Sequence, residues 1–348
     1  MKRNDKEDKS LSKQVKATIK NKKEKSPVYK QKTMISTGST LLDLAISGGA
    51  VRGGGIQGGI FMEVSGPESC GKSVLLAELA GAIQRQGGTA NFKDPEGTLD
   101  ASFAAIFGMK FNEKEYSKPN IVSQVFDEIR VWEPENADKI NGIFVDSLAA
   151  LSTKLEMENP DGDKMGARRG KEFSEGFRKT CRLLNEKNWL MCASNQIRDK
   201  IGVTFGKKTD TPGGHALKFY ASIRLEFTDV KKIYKEIKVH GQVVKKPIGV
   251  EATVKVIKNK VWKPFRTAPI LIIFDYGIDD IRANLQYIKK YTTNKIYTAG
   301  GIDLDNSLEK SIKLVEEQNL EYVLKEQVID LWEEIESKFE EPRKLKER

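Results

Sequence analysis

Gly66-Pro67-Glu68-Ser69-Cys70-Gly71-Lys72-Ser73 carries the clearest chemistry in this chain, because it fits the phosphate-binding pattern G-x-x-x-x-G-K-[ST]. Glycines let the backbone wrap a polyphosphate with successive N–H groups pointing inward. The start of the following helix adds a favourable dipole. Lys72 is expected to reach the β- and γ-phosphates and Ser73 to hold Mg²⁺, with Val74 opening the helix behind them. The apolar run Ile60 to Ser65 reads as a buried strand, and Val74 to Gln86, rich in Leu and Ala, as a helix. That strand–loop–helix setting is what the motif requires, and it makes ATP and Mg²⁺ the expected cofactors.

Hydrolysis of a bound nucleotide needs more than a phosphate cradle. Ile143-Phe144-Val145-Asp146 is an apolar strand ending in an acid, which places Asp146 to hold the Mg²⁺ shell. Asp94-Pro95-Glu96-Gly97 closes another strand, and Glu96 either orients a water and takes its proton or is a turn acid bound to backbone amides. Asn195-Gln196 follows the apolar run Trp189–Ser194, where Gln196 can touch a γ-phosphate. Beyond it, Ile197 to Pro212 is basic and aperiodic, with Arg198, Lys200, Lys207 and Lys208 around Val203 and Phe205. Cations for phosphates beside an apolar wedge for bases suit a single-strand platform; a solvated surface loop is the other reading. A second such loop spans Glu156 to Gly170, with Lys164, Arg168 and Arg169 around Met165.

Strands are expected at 60–65, 89–94, 142–147, 189–194 and 219–228, with a strong helix at 170–187. The alternation argues for an α/β fold, a doubly wound and mostly parallel sheet with ligands at the carboxyl ends of its strands. Leu41, Leu42, Ala45 and Ile46 predict a short amphipathic helix, followed by a glycine-dense connector over 48–59 that is either mobile or tightly turned. Val239-His240-Gly241-Gln242 reads as a hairpin turn, with strands near 249–257 and 267–274. Leu308, Ile312 and Val315 make one helical stripe, and Leu324, Val328, Leu331 and Ile335 another, beside Trp332. The divisions are a basic arm over 1–33, a nucleotide-binding core over 34–276, and a small α+β C-terminal domain over 277–348.

The 348 residues carry a net charge of +10, most of it in residues 1–32, where 12 Lys/Arg face 4 Asp/Glu. Such an arm is a solubilising tail, or it binds nucleic acid or a neighbouring subunit. Cys70, Cys181 and Cys192 lack metal-ligand spacing and read as reduced, buried residues, and His215 and His240 are too few for a metal site. No apolar run reaches membrane-spanning length and no signal peptide is visible, so a cytoplasmic protein without a membrane partner is expected.

Seven ordered blocks resemble the bacterial RecA recombinases. They are Ser36-Thr37-Gly38-Ser39, the 66–73 loop, Val145 to Leu151, Asn195 to Arg198, Lys200 to Val203, Gly213 to Ser222, and Val256-Ile257-Lys258-Asn259-Lys260. Together they cover roughly residues 34–275, far more than a phosphate loop alone. The resemblance implies a recombinase that forms a helical filament of its own copies on single-stranded DNA. It pairs that strand with homologous double-stranded DNA and hydrolyses ATP when DNA is bound. It makes Glu96, Lys72 and Gln196 the catalytic set, and puts Asp100 and Phe103 at adenine. It assigns Met165, Arg168, Arg169, Arg198, Lys200, Val203, Phe205, Lys207, Lys208, Gly213 and Gly214 to DNA. Lys258 and Lys260 would reach the neighbour's ATP, and Phe219 would lie at the same interface.

Departures from the family pattern are Pro95 and Gly97 around Glu96, His215, Pro212 and a long glycine-rich 52–59 stretch. They suggest a divergent member of phage or mobile-element type. The competing readings are a regulatory paralogue without strand exchange, a non-polymerising DNA-binding accessory protein and a helicase motor. The Glu96, Gln196 and Lys258/Lys260 sets argue against the first, and the last usually needs modules not visible here.

Overall fold

The computed structural model describes residues 33–158, 165–199, 209–210 and 214–341; residues 1–32 of the basic arm, 159–164 of the first expected DNA loop and most of the second lie outside them, while 165–170, expected as loop, are helical. Helix α1 (Thr40–Ser47) opens after the cap residue Ser39, whose Oγ accepts from Leu42 N. An amphipathic helix was the expectation, yet all eight residues are buried. Its polar positions tolerate burial because each finds a partner. The Asp43 carboxylate accepts from Thr37 N and Oγ1, both at 2.8 Å, and from Ser36 Oγ at 2.6 Å. Thr40 N and Oγ1 each donate to the Asp280 carboxylate at 2.7 Å. The connector after α1 is tightly turned: Gly55 N donates to Asp43 O, and Ile35 and Ile56 exchange backbone hydrogen bonds.

A nine-stranded sheet then forms, in the order β11-β10-β9-β8-β1-β5-β4-β2-β3. Strands β1 (Ile60–Gly66), β2 (Ala90–Lys93), β3 (Tyr116–Ser117), β4 (Gly142–Val145) and β5 (Leu190–Gln196) are parallel to one another. A separate small ladder joins β6 (Arg198–Asp199) to β7 (Thr209–Asp210). Strand β8 (Ile223–Val239) runs parallel to β1, then turns back at His240-Gly241 into β9 (Gln242–Asn259). Strands β10 (Thr267–Ile273) and β11 (Gly277–Ile278) complete the antiparallel edge. The strand expected at 219–228 starts later, at Ile223. Phe219 and Tyr220 instead end a helix in which Leu217 is buried at the helical spacing from Tyr220.

Helices cover both sheet faces: α2 (Lys72–Arg85), α3 (Ala101–Ile106), α4 (Val122–Val131), α5 (Lys154–Glu158), α6 (Met165–Lys187) and α7 (Gly214–Tyr220). The period-two alternation of the strands sorts the core. Met62, Val64, Cys192, Leu225 and Val254 pack with Leu75, Leu76 and Leu79 of α2. Phe61, Ile143, Val145 and Met191 point the other way, onto Phe126, Phe173 and Phe177 of α4 and α6. Phe177 stacks on Phe61 at 4.3 Å and meets Phe126 edge-on at 5.0 Å.

Three further helices follow: α8 (Asp280–Tyr291), α9 (Leu308–Glu317) and α10 (Glu321–Ser337), with a two-stranded ladder of β12 (Thr298–Ala299) and β13 (Ile302–Asp303) between the first two. Their buried stripes join the α1–α2 side of the core, with Ile281, Leu285, Val315, Val328 and Trp332 in one apolar cluster with Leu41 and Leu42. The residues from Met34 onward belong to one compact unit, Met34–Arg348.

Candidate ATPase site

The 66–73 loop joins the end of β1 to the start of α2. Gly71 precedes the helix with φ +102°, and a Cβ there would run into Ile272 Cδ1. A Cβ on Gly66 would sit 2.7 Å from Phe227 Cβ and 2.8 Å from Cys70 Sγ. The motif glycines are therefore demanded by close packing beneath the loop. The Lys72 ammonium donates to Gly66 O at 3.2 Å and Pro67 O at 2.6 Å, so it lies along the loop backbone. Cys70 is buried and free, and burial pushes its thiol up despite the nearby Lys72 charge.

Parallel register gathers the other groups. Gly66 stands opposite Gln196 in the β1–β5 pair, and Lys93 opposite Val145 in the β2–β4 pair. Asp146, just beyond β4, accepts hydrogen bonds from Ser194 of β5 and Ser73 of the phosphate loop. Burial raises the affinity of Asp146 for a proton, those two hydroxyls lower it, and the charges of Glu96 and Asp94 raise it further. Ser147 Oγ donates to Glu96 Oε1 at 2.6 Å, which fixes the expected catalytic acid beside Asp146. Asp94 braces the intervening loop: its carboxylate accepts from Gly97 N at 2.8 Å, Leu99 N at 2.9 Å and Tyr116 Oη at 2.8 Å.

A hydroxyl and a carboxylate surrounded by further negative charge suit a divalent cation. Among the described residues no trio of His, Cys, Asp or Glu could hold a metal alone. The Ser73 hydroxyl and the Asp146 carboxylate are the kind of donors Mg²⁺ takes, one or two protein ligands beside waters and phosphate oxygens.

Other expected site residues lie apart from this cluster. Asp100 caps α3, its Oδ1 accepting from Phe103 N at 2.7 Å, and the Phe103 ring packs on Phe107 at 4.7 Å. Lys258 lies on β9, with β8 between it and β1, and its ammonium donates to Lys218 O at 2.6 Å and Phe219 O at 3.0 Å at the end of α7. Lys260 is exposed just past β9, and Phe219 is 71% exposed. Arg168 is exposed at the start of α6, whereas Arg169 pairs with Glu156 at 3.0 Å. Met165 begins α6, Arg198 lies on β6 and Gly214 begins α7. Lys200, Val203, Phe205, Lys207, Lys208 and Gly213 fall outside the described residues, as do the side chains of Met165 and Arg198.

Sequence reading did not single out Ser147, Asp94 or Glu63. The first two adjoin motif acids, and the third is a lone charge within the apolar strand Ile60–Gly66. A charged residue in a buried strand is the signal that would have found it.

A phosphate loop at a strand end, a hydroxyl–carboxylate pair beside it and an oriented acid across the cleft define a P-loop ATPase on a mostly parallel α/β sheet. The sequence matches the RecA N-terminal domain family over residues 8–279. It is 39% identical to Protein RecA of Thermus thermophilus over 251 residues, 72% of this chain and 70% of that protein. It is 35% identical to Protein RecA of Borrelia duttonii (strain Ly) over 308 residues, 87% and 79% of the two chains. With Protein RecA of Borrelia hermsii it shares 35% over 326 residues, 91% and 85%. The chain belongs to the RecA family and is a RecA-type recombinase, a DNA-dependent ATPase with strand-exchange activity. No helix among the described residues is long and apolar enough to cross a membrane.

Proposed function

We propose that this recombinase works in the cytoplasm as a helical filament on single-stranded DNA, with ATP and Mg²⁺ between adjacent subunits, and pairs the strand with a homologous duplex. The observation that carries the reading is the separation of Lys258 from its own phosphate loop. Its ammonium faces the end of α7, so a neighbour's γ-phosphate is a better target for Lys258 and Lys260 than their own. The core over 34–276 holds ATP and DNA, and 277–348 is a small α+β domain whose described helices share the core's apolar cluster.

Lys72 neutralises the β/γ-phosphates, and Ser73 and Asp146 hold Mg²⁺, which supplies charge neutralisation on the phosphate oxygens. Glu96, held by Ser147, orients the attacking water and accepts its proton as ADP leaves. Gln196 reports the γ-phosphate to the loop that follows, while Asp100 and Phe103 hold adenine. The basic and apolar residues of 165–169 and 198–214 bind DNA backbone and stack bases. Homology is then read by base pairing rather than by side chains.

The test is complementation. Lys258→Ala/Lys260→Ala has an intact phosphate loop, and Lys72→Ala has intact lysines. Each alone should lose DNA-dependent hydrolysis, and a mixture should regain part of it. Normal hydrolysis by the double variant alone would refute the shared site.

A further inference from the structure

Glu63 is a buried carboxylate with no solvent exposure, in the central strand β1. Burying such a group is costly unless it is paired and hydrogen-bonded. Two neighbouring strands supply the partners. Asn195 Nδ2 of β5 donates to Glu63 Oε1 at 2.9 Å, and Arg224 Nε of β8 donates to Oε2 at 2.5 Å. The same Asn195 side chain accepts, through Oδ1, from the backbone N–H of Gln196 at 3.0 Å. On the other side, Arg224 stands directly opposite Lys258 in the β8–β9 ladder. Burial, then Lys260 and Arg224, push the Lys258 ammonium toward its neutral form, and Glu63 acts against them.

A hydrophobic side chain would hold a strand of this kind at least as well as a buried ion pair. The pair's stability contribution therefore does not account for its place. Its contacts run without a gap from the backbone of the γ-phosphate sensor to the strand position facing the interface lysine.

We propose that Glu63 is a positioning residue that ties Gln196 to the Arg224–Lys258 side of the sheet, so that γ-phosphate engagement in one site and lysine engagement in the next respond to each other. The proposal rests on the reading that ATP lies between subunits. A shift of Gln196 alters how Asn195 holds Glu63. That alters the charge available to Arg224 and, across the ladder, the field on Lys258.

The test uses full-length Glu63→Gln with single-stranded DNA. Two quantities are read: affinity of a fluorescent ATP analogue, and the Hill coefficient of DNA-dependent hydrolysis against ATP. Analogue affinity should stay within about twofold, while the Hill coefficient falls toward one and half-saturating ATP rises about fivefold or more. Glu63→Asp keeps the charge on a shorter side chain and should retain more cooperativity than the isosteric Glu63→Gln, the reverse of what a merely structural role would give. If Glu63→Gln does not fold, Glu63→Gln/Arg224→Gln removes both charges, leaves no unpaired ion and should show the same loss of cooperativity. Cooperative hydrolysis retained by a folded variant overturns the proposal alone. A parent protein with a Hill coefficient of one overturns the shared-ATP reading, and the proposal with it.

Discussion

Asp43→Asn should stabilise this protein at neutral pH and remove a pH dependence. Asp43 is fully enclosed in α1, and burial pushes its carboxyl from 3.8 up to about 6, against the lowering effect of its bonds to Ser36 and Thr37. The folded state thus holds the proton more tightly than the unfolded chain. Below the unfolded value both states are protonated and nothing is lost. Between 3.8 and about 6 the folded state binds more protons, so stability falls as pH rises. Above that window the full cost applies: a rise of this size corresponds to about 3 kcal/mol. Asparagine can keep the carbonyl that accepts from Thr37 and offer its NH₂ to Ser36 Oγ. The assay is urea unfolding of parent and variant from pH 4 to 8. The difference between them should grow from near zero at the acid end to about 3 kcal/mol at neutral pH, and subtraction cancels every other titrating group. A difference that stays flat across the window would show that the hydrogen bonds from Ser36 and Thr37 fully offset the burial.

Ser147→Ala removes the hydroxyl that orients Glu96, and should lower ATP turnover roughly tenfold to a hundredfold with nucleotide affinity kept, read by steady-state kinetics and equilibrium binding. Phe177→Ala empties the space between Phe61 and Phe126 and should cost about 3–5 kcal/mol, measured by denaturant unfolding. Arg198→Ala or Lys200→Ala should weaken single-stranded DNA binding and lower its log–log salt slope by roughly 0.7 for each phosphate no longer neutralised. Unchanged affinity across several salt concentrations would return that loop to ordinary solvated surface.

The phosphate loop was legible because its chemistry depends on local backbone shape, which Gly66, Gly71, Lys72 and Ser73 declare within eight residues. Asp146 and Gln196 were legible as polar residues at the ends of apolar runs, and parallel pairing then brings such ends together. Glu63 was not, because its partners Asn195 and Arg224 lie more than a hundred residues away and only strand order joins them. The full burial of α1 escaped for the same reason. Its periodicity shows one apolar face, while the partners of Asp43 and Thr40 come from outside the helix. The start of β8 was misplaced because Phe219 and Tyr220 suit a strand as well as the end of α7.

The burial of α1 also has a consequence in time. Thr40 is held by Asp280, 240 positions further along, and Leu41 and Leu42 share a cluster with Val328 and Trp332. A ribosome adding about 5–20 residues per second needs roughly 10–50 s to make that stretch. Through that interval α1 has no complete site to occupy. Its apolar and polar groups alike wait for α8 and α10. The nascent protein therefore exposes the apolar residues of α1 until α10 is made, and α10 then closes over them.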